Sequence, residues 1–221
     1  MALSITGLRS SSTGGTTATI GAGTCRDATD TADITIPAGQ TRTVDVTVSG
    51  AGGIASGTVQ ADTSYALYVV QQGGTVACTL ATEFDAPPLG AAKYRRIGSV
   101  LTNGSAQVVA FTQTGTGNAR MVTYDATPGI LTVVDAGSSA SFRDFDLGPA
   151  NPVTGRPARL SVTPGGAPTH LRATNGQGAE IALIDPTILG FTPPIGSNKG
   201  SFQTEGSSTT TIRVTGYGEQ V

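Results

Sequence analysis

Ser64-Tyr65-Ala66-Leu67-Tyr68-Val69-Val70-Gln71-Gln72-Gly73-Gly74-Thr75-Val76-Ala77-Cys78-Thr79-Leu80 decides the fold class of this chain. Tyr65, Leu67 and Val69 share one face of an extended strand, and Tyr68 and Val70 the other. Both faces are apolar, so the strand reads as covered on both sides. Gly73-Gly74 then supplies the positive φ angles of a tight hairpin turn, and Thr75–Leu80 returns.

Outward from this hairpin the pattern repeats. Thr17–Ile20, Asp33–Ile36 and Arg42–Val48 alternate, the last with Val44, Val46 and Val48 on one face. Tyr94–Thr102 and Gln107–Gln113 read as a second hairpin around Asn103-Gly104. Beyond Gly115-Thr116-Gly117-Asn118 come Arg120–Asp125, Ile130–Asp135, Arg159–Thr163, His170–Ala173, Glu180–Ile184 and Thr209–Gly216. Pro-rich punctuation keeps these strands short. Ser10–Gly15 reads as a mobile tip or a joint. The 221 residues include 31 Gly and 35 Thr, and only 13% are charged. Gly and Thr disfavour helices. The expectation is an all-β protein of two small antiparallel lobes, β-sandwich or jelly-roll-like, spanning residues 1–118 and 119–221.

The bulk properties narrow the function. A net charge of -2 argues against a nucleic-acid binder, which shows a basic face. No apolar run approaches the ~20 residues of a membrane span. The start, Met1–Thr6, lacks the basic and apolar regions of a secretory signal, so synthesis and assembly in a cytoplasm are expected. Cys25 and Cys78, each among β-type residues, read as buried free thiols acting as small hydrophobes. His170 is the single histidine, in a Pro/Gly-flanked stretch, and reads as a surface residue. Asp27, Asp30 and Asp33 read as a solvated turn, because a calcium site needs about six to eight oxygens. Asp144-Phe145-Asp146 places two carboxylates on one strand face without pointing to catalysis. No cofactor and no metal are expected.

Several blocks, in order, resemble a module of tailed-phage and prophage fibre, spike and tail-associated virion proteins. Gly23-Thr24-Cys25-Arg26-Asp27 resembles its "GxxRD" block. Gly50–Gly57 is similar to its Gly-rich "GxGGLDxG" loop, with Ala55 where the family has an acidic residue. Thr63–Val70 resembles its "xxYYVYVI" strand, and Pro87-Pro88-Leu89-Gly90 sits where the family has "P-x-L-P-x-G-Y". Tyr94–Ser105 matches "YRRIGSxxTDGS", with Asn103 in place of Asp. Phe111–Gly115 resembles "F-x-Q-x-G". The matched span runs from about Gly23 to Gly115; the second half resembles the family's following β-sandwich only loosely.

The resemblance implies a non-enzymatic structural component of a phage or phage-like particle. It would be a fibre, spike or knob on tail or head, acting in assembly and host-surface attachment. The alternatives are a capsid decoration (cement) protein and a glycan-degrading spike enzyme. Partners would be other virion proteins, a host surface glycan or protein, and further copies of the chain, a trimer first. Within the Tyr94–Ser105 block, Gly98 reads as a bulge or a close backbone approach. One of Arg95 and Arg96 should turn inward, its fork holding Asp27 or Asp85. The irregular stretches Gly137–Arg156 and Pro186–Gly200 would carry recognition, with Phe142, Arg143, Phe191 and Asn198 as candidate surface-binding residues; the alternative is that their Phe residues simply fill the small core, since the chain has only six.

Overall fold

The computed structural model describes residues 4–82, 88–125, 131–152, 156–173, 180–193 and 197–221. The fold is all-β, with several antiparallel sheets. The chain divides into two compact units, residues 1–126 with 219–221, and residues 127–218.

The first unit holds eleven strands among the described residues. They are β1 (Ile5–Gly7), β2 (Ser10–Ser12), β3 (Thr17–Ile20), β4 (Gly23–Arg26), β5 (Asp33–Ile36) and β6 (Arg42–Asp45). There follow β7 (Ser64–Gln72), β8 (Thr75–Ala81), β9 (Lys93–Leu101), β10 (Phe111–Thr116) and β11 (Ala119–Tyr124). Strand β7 lies between β8 and β9. Its residues from Tyr65 to Val70 are all buried, as expected of a strand apolar on both faces. Ala66, Tyr68 and Val70 pack with Ala81 and Ala91. Elsewhere in the unit, β1, β4 and β5 form one small sheet, and β11, β10, β2, β3 and β6 pair in that order.

Two expectations fail here for local reasons. Ser10–Ser12 is a strand between β10 and β3, not a mobile tip. Its Ser10 and Ser12 are buried, and Ser12 Oγ donates to Thr17 O at 2.7 Å. The alternating run from Arg42 stops at Asp45. The Asp45 carboxylate accepts from Thr47 N and Thr47 Oγ1 at 2.9 and 2.7 Å, and Val48 N turns back to Asp45 O. A side chain that satisfies the following amides replaces the ladder, and Val48 is exposed. The chain does turn back at Asn103-Gly104: Asn103 N donates to Gln107 O and Val109 N to Leu101 O, both at 2.8 Å, and Thr102 bridges Val108 antiparallel. Asn103 Oδ1 accepts from Ser105 N and Gln107 N, which builds a wider loop. Strand β9 then pairs with β7, while β10 pairs with β2 and β11.

The second unit contains β12 (Thr132–Gly137), β13 (Arg143–Asp146), β14 (Ala158–Pro164), β15 (Thr169–Ala173), β16 (Ile181–Leu183), β17 (Thr187–Phe191) and β18 (Lys199–Thr204). The last strand, β19 (Thr210–Gln220), begins here. Strands β13, β18, β15 and β16 form one sheet; β14 lies between β17 and β19, and β12 adds to β19. The stretches read as irregular therefore contain β13, β17 and part of β18. Their sequences hid this, because Arg-Asp-Phe-Asp has one apolar residue and Thr-Ile-Leu-Gly-Phe does not alternate.

Three of the six phenylalanines build the core of this unit. Phe145 is buried with its ring 5.9 Å from Phe191 and 6.5 Å from Phe202, centroid to centroid. The rings close over Gly200, where a Cβ would stand 2.5 Å from Phe145 and 2.6 Å from Phe191. Phe191→Ala should therefore lower the stability of this unit by about 3–5 kcal/mol. Chemical denaturation followed by circular dichroism measures this; an unchanged midpoint would remove Phe191 from the core.

Candidate functional site

The residues of the Tyr94–Ser105 block meet those of Phe111–Gly115 at one buried carboxylate. Glu219 is 3% exposed. Ser99 Oγ donates to its Oε2 at 2.8 Å, and Gln113 Nε2 donates to its Oε1 at 3.0 Å. Arg96 Nη1 stands 3.7 Å from Oε2. Gln113 also donates from Nε2 to Ile97 O at 3.0 Å. Its Oε1 accepts from Ser10 N and Arg120 Nη1, each at 3.3 Å. Burial pushes the Glu219 carboxyl up from its ordinary value, and the Ser99, Arg96, Gln113 and Arg120 contacts offset part of that rise.

Gly98 belongs to this network by its lack of a side chain. Leu67 pairs with Gly98 and Tyr68 with Arg96, so Ile97 is the extra residue of a bulge. A Cβ on Gly98 would lie 2.6 Å from Gln113 Nε2 and 3.2 Å from Glu219 Oε1. The backbone of β9 thus passes directly against the buried amide and acid.

The two arginines do not hold Asp27. Arg95 is the inward one; it is buried and its Nη2 donates to Val221 O at 2.8 Å. Arg96 donates to Gln220 O. Asp27 is not solvated: it is 1% exposed and caps its own loop. It accepts from Thr29 Oγ1 at 2.6 Å, Thr31 N at 2.7 Å, Ala32 N at 2.9 Å and Thr31 Oγ1 at 3.0 Å. Burial alone would raise this carboxyl, but the four bonds outweigh it and hold the pKa at about 2. Arg26 pairs with Asp30 and Asp33. Among the described residues no group of His, Cys, Asp and Glu is placed to hold a metal. Asp85 and Pro87 lie outside the described residues. Cys25 and Cys78 are buried free thiols, each pushed up to about 12 by burial.

In the second unit the four candidate binding residues separate. Phe191 is in the core. Asn198 donates from Nδ2 to Gly148 O at 3.0 Å and Asn151 O at 2.7 Å, and its Oδ1 accepts from Asn151 at 3.0 Å. Its amide is committed to holding the turn at Gly148–Ala150. Phe142 is half-buried beneath Arg172, whose guanidinium carbon lies 3.5 Å from the ring centroid. Arg143 is exposed. It lines a cleft of about 230 Å³ with Val134, Asp135, Asp144, Phe145 and Phe202. Asp144 accepts from Ser201 Oγ at 2.7 Å.

Comparison with protein-family models, with curated proteins and with solved structures finds no match.

His170 lies on β15 between two carboxylates. Nδ1 is 2.6 Å from Glu180 Oε1, and Nε2 is 3.1 Å from Glu205 Oε1. The Glu205 bond chiefly, with Glu180, raises the imidazole pKa above its ordinary 6.5 against a smaller effect of burial. Both ring nitrogens face acceptors, so the protonated form fits best.

Sequence reasoning missed Glu219 and Gln113 as partners. The pattern of β19 hid Glu219, because the buried alternation Thr210, Ile212, Val214, Gly216 changes phase at Tyr217 and puts Glu219 on the other parity. A buried acid there must find donors.

Two outcomes follow from these contacts. Gly98→Val should destabilise the first unit by about 1–3 kcal/mol, since Gln113 or Glu219 must move. A melting temperature equal to that of the parent chain would contradict the close approach. The His170 pKa is higher in the folded chain, so its stabilisation is fully present below the unfolded value of about 6.5. It is lost as pH rises through the folded value. The melting-temperature difference between the parent chain and His170→Gln should shrink from pH 5.5 to pH 8.5; a constant difference would deny the role of protonation.

Proposed function

We propose that the chain is a non-enzymatic structural component of a tailed-phage or phage-like particle, a fibre, spike or knob on tail or head. One observation carries this reading. The two most distinctive blocks of the resemblance, Tyr94–Ser105 and Phe111–Gly115, converge on Glu219. There Arg96, Ser99 and Gln113 spend their polar groups on strands of the same unit. These residue types serve a scaffold, which is what an assembly module needs. On this reading each lobe is a β-sandwich or jelly roll, the first organising copies and the second presenting the Arg143 cleft to a host surface glycan or protein.

Self-association completes the proposal, with a trimer as the first expectation. Strands β16 and β17 lie at sheet edges and carry or adjoin the exposed Ile181, Ile184 and Ile188. Edges of this kind associate unless they are covered. Assembly would take place in the bacterial cytoplasm, and the mature location would be the virion.

Particles released by lysis of the cells that carry the gene provide the test. After gradient purification the chain should band with the particles, and a labelled antibody should mark tail or head appendages. Label spread over the head lattice would replace the appendage with a decoration protein. Absence of the chain from purified particles would overturn the proposal.

A further inference from the structure

A second feature of the first unit is independent of the particle reading. Arg9, exposed between β1 and β2, donates through Nε and Nη2 to Gly115 O at 3.2 and 3.0 Å. Arg120, 4% exposed, donates through Nε to Gly117 O and through Nη2 to Gly7 O, both at 2.9 Å. Both line a cleft of about 250 Å³, together with Ile5, Thr6 and Thr116.

The charge of this cleft is uncompensated at its own walls. No Asp or Glu lines it. Among the described residues neither arginine has a carboxylate partner within 4.0 Å. Burial first, and then the charge of Arg9, lower the Arg120 pKa, so the two cations repel each other. Glu219 acts on Arg120 through its charge but is committed to Ser99 and Gln113. A guanidinium has five N–H donors. Arg9 uses two of them, and Arg120 three, counting the bond to Gln113. Donors remain on both forks.

We propose that this cleft binds a phosphate group. Two forks from separate segments suit a tetrahedral anion, whose oxygens point in several directions; a planar carboxylate is satisfied by one fork. Thr6 and Thr116 also line the cleft, and a threonine hydroxyl is an uncharged donor. An anion here relieves the repulsion between the buried Arg120 and the exposed Arg9.

The full chain is titrated with inorganic phosphate, and separately with a poly(glycerol phosphate), at constant ionic strength against chloride. Calorimetry reads binding, and the melting temperature should rise with ligand. Arg9→Gln should fold normally, because Arg9 is exposed, and should weaken phosphate binding about tenfold or more, the loss expected for one charge-assisted contact. Binding of inorganic phosphate alone supports a free ion as the ligand; binding of the polymer as well supports a chain-borne phosphate. No binding of either by the parent chain, or equal binding by Arg9→Gln, overturns the proposal.

Discussion

The hydrogen bond from Gln113 to Glu219 is the contact around which the first unit is organised. A carboxylate removed from water costs several kcal/mol unless its oxygens are matched by donors. Glu219 meets that condition through Gln113 and Ser99. Gln113 in turn satisfies both ends of its amide through Ile97, Ser10 and Arg120. Each group is tolerable in the interior only because the others are present, so the network acts as a unit. It also fixes register: a one-residue slip of β9 would move Ser99 away from the acid and put a side chain where Gly98 now lies. The partners of Glu219 lie 106 and 120 residues earlier in the chain. The chain leaves this unit at residue 126 and returns at 219. Completion of the network therefore needs a very long loop to close, which places it late in folding.

How far the sequence could be read depended on how each segment earns its place. Strand β7 was legible because its own residues state both buried faces, and Gly73-Gly74 marks the turn after it. Strand β2 was not, since three serines carry no hydrophobic signal; backbone pairing on both sides makes it a strand. Arg42–Val48 misled for a local reason. Asp45 offers the following amides a side-chain acceptor, and that local bond wins over extension of the ladder. Gly98 could be singled out from a glycine in a strand-like run, yet what it approaches could not be named. Its neighbours Gln113 and Glu219 come from other strands, and pairing partners are not written in a local pattern.

The candidate binding residues illustrate a different limit. With six Phe and no Trp, the second unit has few large side chains with which to fill an interior. The Phe145 and Phe191 rings over Gly200, with Phe202 against Phe145, join buried aliphatic residues such as Leu160 and Leu171 in this core. An aromatic in a Pro-flanked stretch is then more useful inside than on a surface. Arg143 is different, because no strand face can bury an unpaired guanidinium cheaply. Its exposure beside Asp135 and Asp144 leaves a polar cleft with an apolar floor of Val134, Phe145 and Phe202. Recognition on this unit would thus rest on charge and hydroxyl-type hydrogen bonding more than on stacking.

The first unit also carries two acids whose shifts oppose each other, so their contributions to stability depend on pH in opposite senses. Asp27 falls from an ordinary 3.8 to about 2 because four donors outweigh its burial. Its contribution is present above 3.8 and lost as pH drops toward 2. Glu219 moves the other way from an ordinary 4.5, burial being its largest influence. The folded chain binds that proton more tightly than the unfolded chain, so the contribution is present below 4.5 and declines as pH rises through the folded value. The two contributions overlap fully between about pH 3.8 and 4.5. Below that window the Asp27 loop loosens; above it, burial works against charge on Glu219, and Ser99, Gln113 and the nearby arginines offset part of that. The donors assembled around Glu219 thus lower the cost of holding an acid in the interior.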